Sequence, residues 1–222
     1  MPESLQNPPF VAIEGLDGAG TTTQTRRVAA ALRDHDQSVS TSREPSDGPV
    51  GMLIRQMLSK RITVVDAQGD HRPVNRDTLA LLFAADRLDH LDAQVRPALA
   101  RGEVAITDRY YHSSLVYQGT IDDDTDDSVV DTWVELLNER AQTPDLTVFL
   151  DASARLAMDR LDDRSTRDIY ESQQRLQRFE QRYRQVMELL DDRGEPILRL
   201  DADRPPEELT DEIVDEIWRV GQ

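Results

Sequence analysis

The feature that most constrains the fold is a glycine-rich segment at residues 10–24, which reads FVAIEGLDGAGTTTQ. Its apolar start, residues 10–13, predicts a buried strand, and a helical pattern follows over residues 24–32. Between them, three glycines let the backbone turn sharply and approach a ligand closely: Gly15, Gly18 and Gly20. A glycine turn between a strand and a helix directs successive N–H groups toward an anion. The segment therefore predicts a phosphate-binding loop, because the alternative, a plain tight turn, does not explain having both a strand and a helix around it.

This loop departs from the usual phosphate-binding pattern, G-x-x-x-x-G-K-[ST], at one position. Gly15, Gly20 and Thr22 match the pattern, but Thr21 stands in the place of the lysine. No loop cation is then available to neutralise the β- and γ-phosphates, and losing one transition-state contact of this kind costs about 3 kcal/mol. The sequence predicts that another group compensates, or that turnover is slow.

Four further apolar runs alternate with helical patterns and predict strands at residues 38–42, 104–107, 146–150 and 197–200. Together with residues 10–14 they indicate an α/β fold, a five-stranded parallel sheet flanked by helices, in which residues 104–107 should be the central strand. Ligands of such sheets bind beyond the carboxyl ends of the strands. Polar residues follow several strands and are expected to line one site: Arg43, Glu44, Asp108, Arg109, Asp151, Asp201 and Asp203.

The charge of the chain limits its partners. Its 222 residues include 43 acidic and 26 basic side chains, a net charge of −17, and Lys60 is the one lysine. Such a surface repels nucleic acid and anionic lipid, so neither is expected as a partner. We interpret the charge as adaptation to high salt, which screens the repulsion. Disorder is the alternative, and the regular strand and helix patterns argue against it.

The length fits a single domain spanning residues 1–222. The chain has no cysteine, and its first residues lack the basic start and apolar run of a secretory signal, so a cytoplasmic protein is expected.

Two segments interrupt the alternation of strands and helices. Residues 61–76 predict a hairpin or a long loop, and the five aspartates within residues 121–128 predict a solvated loop rather than a metal site.

Five motifs occur in order along the chain: VAIEGLDGAG from Val11, SREP from Ser42, LLFAADR from Leu81, DRYYHSSLVYQG from Asp108 and PDLTVFL from Pro144. One of them alone could be chance, but the set is specific, and it resembles the thymidylate kinase family. The resemblance implies a P-loop nucleoside monophosphate kinase with a mobile helical lid. It also implies ATP as phosphate donor, dTMP as acceptor, dTDP as product, Mg²⁺ and a homodimer.

The resemblance further implies a dTMP-binding site. Asp17 would lie near the sugar and phosphate, Phe83 would stack on the base, and Arg87, one helical turn away, would reach its O4 carbonyl. The alternative is that Phe83 is an ordinary core phenylalanine and that Arg87 is a snorkelling arginine without a ligand. Tyr117 would press on the deoxyribose and disfavour a 2′-hydroxyl. The other acceptor residues implied are Arg43, Glu44, Arg55, Arg109, Ser113, Ser114 and Gln118.

Within that set, Arg43 and Arg55 would contact the dTMP phosphate, and Glu44 would order them or the water shell of the metal. Arg109 would bridge the donor and acceptor phosphates. Ser114 and Gln118 would address the edge of thymine.

The donor site follows from the same resemblance. Amides of residues 18–22 would hold the β-phosphate, the Thr22 hydroxyl would ligate Mg²⁺, and Asp108 would orient the ion through water. The ATP-binding residues implied are Gly15, Leu16, Asp17, Gly18, Ala19, Gly20, Thr21, Thr22 and Thr23. A lid at residues 155–172 would close over ATP. The catalytic residues implied are Asp17, Arg109, Arg160, Arg164 and Arg167.

Members of the family have lysine at the position of Thr21, and some have arginine at that of Gly18. Three explanations of the missing cation stay open: a lid arginine replaces it, K⁺ occupies its place, or the protein binds nucleotides without transferring phosphate. The glycine at position 18 resembles the subgroup with a catalytic lid arginine, which favours the first. A kinase for another pyrimidine nucleotide is the alternative at the acceptor site.

Overall fold

The computed structural model describes residues 5–119, 131–161 and 166–222, with 166–172 in backbone only. The strands in these ranges are β1 (Phe10–Gly15), β2 (Val39–Arg43), β3 (Val64–Val65), β4 (His71–Arg72), β5 (Val104–Asp108), β6 (Leu146–Asp151) and β7 (Ile197–Asp201). Five of them form one sheet in the order β2-β5-β1-β6-β7, and every neighbouring pair is parallel. The predicted five-stranded parallel sheet is confirmed.

The helices are α1 (Thr21–Asp34), α2 (Pro49–Leu58), α3 (Arg76–His90), α4 (Arg96–Ala100), α5 (Tyr111–Tyr117), α6 (Thr132–Asn138), α7 (Ala154–Arg160), α8 (Thr166–Asp192) and α9 (Pro206–Val220). A π-helical turn, Leu91–Val95, joins α3 to α4. α1 begins at Thr21 rather than at the predicted Gln24, because Gly20, with φ of 103°, ends the glycine turn directly before it. None of the helices in the described part of the chain is long and apolar enough to cross a bilayer.

The central strand is β1, and all six of its residues are buried. α1 and α9 pack together over the sheet, and α5 and α8 pack together over β1 and β6. A parallel strand covered on both faces is expected to be apolar, and residues 10–13 satisfy this. Glu14 is the exception to this apolar pattern, because it is a charged residue whose side chain is nevertheless fully buried.

The strand before Asp108 is not at the centre of the sheet. β5 lies between β2 and β1, so the prediction of a central position is wrong by one strand. Local apolar patterns report burial, which β5 and β1 share, and they do not report strand order. β5 is still an inner strand, and all five of its residues are buried.

Residues 61–76 contain a hairpin, in which β3 and β4 pair antiparallel. Its turn is held by Asp66, whose Oδ1 accepts hydrogen bonds from the amides of Gln68 and Asp70, both at 2.9 Å. Of the two predicted alternatives, the hairpin is correct. The aspartate-rich segment 121–128 lies outside the described residues, and its interpretation stays a prediction.

Candidate active site

A cleft of about 1040 Å³ lies beyond the carboxyl ends of β1, β5 and β7, and residues 17–24 form one of its walls. Gly15 and Leu16, predicted to bind ATP with the rest of the loop, are buried behind this wall. Gly18 has φ of 89°, and a Cβ atom there would lie 2.5 Å from the carbonyl oxygen of Ala157. Among the described side chains none caps the start of α1. Its first N–H groups can therefore bind an anion in the cleft.

The Thr22 hydroxyl donates a hydrogen bond to Oδ2 of Asp108, at the end of β5. The other carboxylate oxygen, Oδ1, is buried and has no hydrogen-bond partner within the described ranges. A buried oxygen without a donor suits a hard cation, and Mg²⁺ is commonly bound by one or two carboxylates together with substrate phosphates. Residues 5–119, 131–161 and 166–222 contain no cluster of three or more His, Asp or Glu side chains for a metal. Thr22 and Asp108 form a pair that could hold Mg²⁺ beside a phosphate.

Arg109 connects the glycine loop to α5, and its backbone is left-handed, with φ of 74°. Its Nη2 donates to Oδ1 of Asp17 at 2.6 Å. Its Nη1 donates to Ser113 Oγ at 3.2 Å and to the Tyr183 hydroxyl at 3.1 Å. The guanidinium carbon lies 5.7 Å from the centre of the Tyr117 ring. Four predicted residues therefore meet around Arg109, which lies between the cleft and α5.

A buried ion-pair cluster surrounds Arg87. Its Nη2 lies 2.6 Å from Oε2 of Glu44, whose Oε1 lies 3.1 Å from Nδ1 of His90, and none of the three side chains is more than 2% exposed. Arg87 also donates to Ser114 Oγ at 3.1 Å and to Oδ1 of Asn138. The alternative of a snorkelling arginine is wrong, since the guanidinium is fixed inside the protein.

The predicted contact of Glu44 with Arg43 and Arg55 is not what the structure contains. Arg43 donates to Oδ1 of Asp47 at 2.9 Å, and Arg55 donates to the same oxygen. Asp47, in the loop after β2, therefore brings the two arginines together. The Glu44 carboxylate turns inward because α3 presents Arg87 and His90 on one face beside it.

Two of the predicted acceptor residues have a buried polar atom with no partner in the part of the chain that the structure describes. These atoms are the Tyr117 hydroxyl and Oε1 of Gln118. Leaving a buried polar group unpaired costs about 1–3 kcal/mol, so a bound ligand is expected to supply the missing partners. Phe83 is half-buried one turn before Arg87 on α3.

Comparison with known proteins places this architecture in a family. The family model described as thymidylate kinase matches residues 13–213, from β1 into α9. This chain belongs to the thymidylate kinase family. A probable thymidylate kinase of Thermococcus gammatolerans is 36% identical over 183 residues, which cover 81% of this chain and 83% of that protein. A probable thymidylate kinase of Pyrobaculum aerophilum is 34% identical over 211 residues, which cover 95% of this chain and 97% of that protein.

The lid predicted for a thymidylate kinase includes α7 and the start of α8. Arg160, at the end of α7, donates to the carbonyl oxygens of Ala19 at 3.2 Å and Ala202 at 2.9 Å. It therefore bridges the glycine loop and the segment after β7. Arg164 lies outside the described residues, and Arg167 is described only as backbone within α8.

Asp151, Asp201 and Asp203, expected at the rim of the thymidylate kinase site, do not line the cleft and share a separate pocket. The Asp151 carboxylate is bound by Arg184 at 2.9 Å and by Arg199 at 2.6 Å, and both arginines line the same separate pocket. β6 therefore ends in an ion-pair cluster outside the cleft.

The residues of the site that were not found from the sequence include Glu14, His90, Asn138 and Tyr183. Glu14 accepts from Ser113 Oγ at 2.7 Å and from the Tyr183 hydroxyl at 3.2 Å. The signal that could have found it is a carboxylate inside an apolar strand, since a buried charge requires partners. The other three carry no such local signal.

Proposed function

We propose that this chain transfers the γ-phosphoryl group of ATP to dTMP, giving ADP and dTDP. The observation that carries the proposal is the junction at Arg109, whose guanidinium lines the nucleotide cleft, contacts Asp17 and lies over Tyr117. Phosphoryl transfer depends on alignment and charge neutralisation. One arginine placed between a donor cleft and an acceptor pocket can serve both phosphates.

The acceptor pocket supports a pyrimidine with a 4-oxo group. Arg87 is a hydrogen-bond donor only, so it would donate to the O4 carbonyl of thymine and does not suit the 4-amino group of cytosine, which is itself a donor. Phe83 supplies a stacking surface, and Ser114 and Gln118 address the remaining edge. The Tyr117 hydroxyl and ring would exclude a 2′-hydroxyl. Arg43 and Arg55, joined through Asp47, would bind the acceptor phosphate.

The test is a coupled ADP-release assay with ATP, Mg²⁺ and a panel of dTMP, dUMP, dCMP and the ribonucleotides, in dilute buffer and in molar KCl. The proposal expects the highest kcat/KM for dTMP. Equal rates for all acceptors, or a higher rate with another pyrimidine nucleotide, would reassign the acceptor. Binding of both nucleotides without ADP release would leave a nucleotide-binding module.

Mg²⁺ is proposed as the cofactor, held by the Thr22 hydroxyl and the Asp108 carboxylate. The hydrogen bond between the two side chains and the orphaned Oδ1 of Asp108 support this donor set. When bound, the ion neutralises charge on the β- and γ-phosphates.

We further propose that Arg160 supplies the cation that Thr21 lacks. Its Nη1 is 4.0 Å from the point where a Cβ on Gly20 would lie, so the guanidinium borders the phosphate loop. K⁺ in the lysine position is the alternative. Replacing KCl with tetramethylammonium chloride at equal ionic strength separates the two: loss of turnover supports K⁺, and unchanged kcat excludes it.

A homodimer is proposed from the family and from exposed apolar side chains on adjoining elements. α3 packs against both α2 and α6. These helices and the hairpin expose Met52, Leu53, Leu58, Ile62, Val65, Leu81, Leu88, Trp133 and Leu136. Monomers rarely leave so many large apolar groups in one region, and a two-fold dimer would cover them. Light scattering of the wild type should give twice the monomer mass. The Leu81→Glu variant should give the mass of a monomer.

We also propose that residues 1–222 form one domain that acts in the cytoplasm of a salt-adapted cell. The net charge of −17 supports this, because salt screens repulsion between carboxylates. The melting temperature should rise from dilute buffer to molar KCl. A flat or falling melting temperature contradicts the adaptation.

A further inference from the structure

Three ionisable side chains form a buried chain beneath α5. Nδ1 of His112 lies 3.6 Å from Oε1 of Glu14, and its Nε2 lies 3.2 Å from Oε2 of Glu195. Glu14 and His112 are fully buried, whereas Glu195, in the loop before β7, is 18% exposed. The proposed phosphoryl transfer uses none of the three as a substrate contact.

Both ring nitrogens of His112 face carboxylates, which decides its charge state. A neutral imidazole has one N–H and one lone pair, so either tautomer would set a lone pair against a carboxylate. Burial alone lowers the pKa of His112, but the Glu14 carboxylate, 3.6 Å from Nδ1, and the Glu195 carboxylate, hydrogen-bonded to Nε2, outweigh it and raise the pKa above 6.5. Burial alone raises the pKa of each carboxyl, and contact with His112 lowers both below 4.5. The arrangement is therefore an imidazolium between two carboxylates.

The surroundings of the imidazolium contribute few other charges. Tyr111 stacks on the ring with centroids 4.1 Å apart, and its hydroxyl donates to Oε1 of Glu195 at 2.6 Å. From β6, the Thr147 hydroxyl lies 3.3 Å from Nε2. From the loop before α5, Arg109 adds positive charge near Glu14. At the other end, Arg193 adds positive charge near Glu195. Each carboxylate therefore faces His112 and one arginine, as buried charges require.

Glu14 acts as the N-terminal cap of α5 from a neighbouring strand. Its Oε1 accepts from the amides of Tyr110 at 2.7 Å and Ser113 at 3.2 Å. Among the described residues, Tyr110 itself provides no side-chain cap. A carboxylate at a helix start satisfies N–H groups that lack partners and is favoured by the helix dipole. The start of α5 therefore depends on an ionised Glu14.

The groups that bind Glu14 also hold Arg109. Ser113 Oγ donates to Glu14 at 2.7 Å, and the Tyr183 hydroxyl lies 3.2 Å from the same carboxylate oxygen. Both hydroxyls accept from Nη1 of Arg109, and so does the carbonyl of Gly15, the residue after Glu14. A shift of the Glu14 carboxylate would move the guanidinium that joins donor and acceptor sites.

We propose that His112 is a positioning residue, whose imidazolium fixes the Glu14 carboxylate and, through it, the start of α5 and the Arg109 guanidinium. The kinetic part of this inference rests on the proposed transfer to dTMP. A group whose folded pKa is raised contributes below its ordinary pKa and stops contributing as pH rises through the folded value. Turnover is therefore lost on the alkaline side, while ATP, bound by the glycine loop, keeps its KM.

The experiment combines kinetics with ¹⁵N NMR of the imidazole rings, on the full chain between about pH 6 and pH 10. In the wild type, the midpoint of the alkaline fall in kcat should equal the pKa of His112, above 6.5. His112→Gln should lower kcat roughly tenfold at neutral pH and remove that fall, with the KM for ATP changed by less than about twofold. His35→Gln, the same change at an exposed position, should behave as the wild type.

Glu195→Gln provides a second variant at the far end of the chain of charges, should His112→Gln not fold. It retains His112 and should move both the NMR pKa and the alkaline fall to lower pH. A purely structural role would leave those two midpoints unlinked. A neutral His112 at pH 7, or a wild-type pH profile in His112→Gln, overturns the inference. If the wild type makes no dTDP, the proposed function fails, and the NMR titration still decides whether the imidazolium exists.

Discussion

The Arg87 guanidinium and the Glu44 carboxylate form an ion pair of 2.6 Å in which the two side chains are 1% and 2% exposed. Neither charge retains its hydration, so each depends on the other. Glu44 follows the edge strand β2, and Arg87 belongs to α3. The pair therefore fixes the proposed base-binding helix to the sheet.

Replacing Glu44 with Gln should destabilise the protein by about 3–5 kcal/mol, because Arg87 stays buried without its counterion. Urea denaturation at constant KCl measures this loss. Asp47→Asn is the matched control, since the Asp47 carboxylate is exposed and surface pairs like those with Arg43 and Arg55 contribute less than about 1 kcal/mol each. Equal losses in the two variants would contradict the dependence.

Replacing Asn138 with Leu should weaken acceptor recognition. The side-chain oxygen Oδ1 of Asn138 accepts a hydrogen bond from Nη1 of Arg87, and a leucine side chain of similar size has no acceptor. We expect kcat/KM for dTMP to fall roughly tenfold, with the KM for ATP unchanged. Asn138→Asp keeps the acceptor and should retain most of the activity. A similar loss in both variants would show that the hydrogen bond is not the cause.

Replacing Asp108 with Asn should raise the Mg²⁺ concentration needed for half-maximal rate about tenfold, because an amide oxygen is a weaker ligand than a carboxylate. Calorimetry of ADP binding with and without Mg²⁺ provides a measurement that does not need turnover. In EDTA, the variant and the wild type should bind ADP with the same affinity. Added Mg²⁺ should increase the ADP affinity of the variant less than that of the wild type. The exposed Asp92→Asn serves as control. An unchanged Mg²⁺ dependence would exclude Asp108 from the site.

Replacing Arg160 with Met should reduce kcat by about two orders of magnitude, the scale of one lost charge at a transferring phosphate. Thr21→Lys should restore much of that activity in the double variant, since lysine would return a cation to the loop. In the wild-type background the same lysine should add little. If Thr21→Lys raises turnover greatly from almost nothing while Arg160→Met changes nothing, Arg160 is not the substitute.

Acid should weaken the fold through Glu14 and Glu195. Their pKa values are lowered in the folded protein, chiefly by His112 acting against burial. Their contribution is present above the ordinary carboxyl pKa of 4.5 and is lost as pH falls through the lower folded values. Glu195→Gln should therefore show a shallower loss of unfolding free energy below that pH than the wild type. Glu188→Gln, exposed on α8, should not change the slope.

The sheet and its functional edge were predictable because both rest on local patterns. Each strand is a short apolar run, and a parallel sheet brings the carboxyl ends of its strands to one edge. The glycine loop, Asp108 and Arg109 were found in this way. At residues 61–76 the sequence could not distinguish a hairpin from a long loop, since the same turn residues occur in both structures.

The buried network was not predictable, because its contacts join distant parts of the chain. Glu14 meets Ser113 and Tyr183 at separations of 99 and 169 residues, and Arg87 meets Asn138 at a separation of 51. A charged residue in an apolar strand signals that partners must exist. It does not signal which helices provide them, and the partners of Glu44, Arg87 and His90 rather than Arg43 and Arg55, were missed for the same reason.

The close contact between Gly18 and Ala157 limits where a cation can be returned to the glycine loop. The 2.5 Å left for a Cβ atom means that any side chain at position 18 would displace α7, which carries Arg160. Thr21, in contrast, borders the cleft and has room to lengthen. An arginine at position 18 and a lid seated as it is here are therefore mutually exclusive. An engineer could restore charge at position 21 by one substitution, whereas position 18 would require rebuilding the lid.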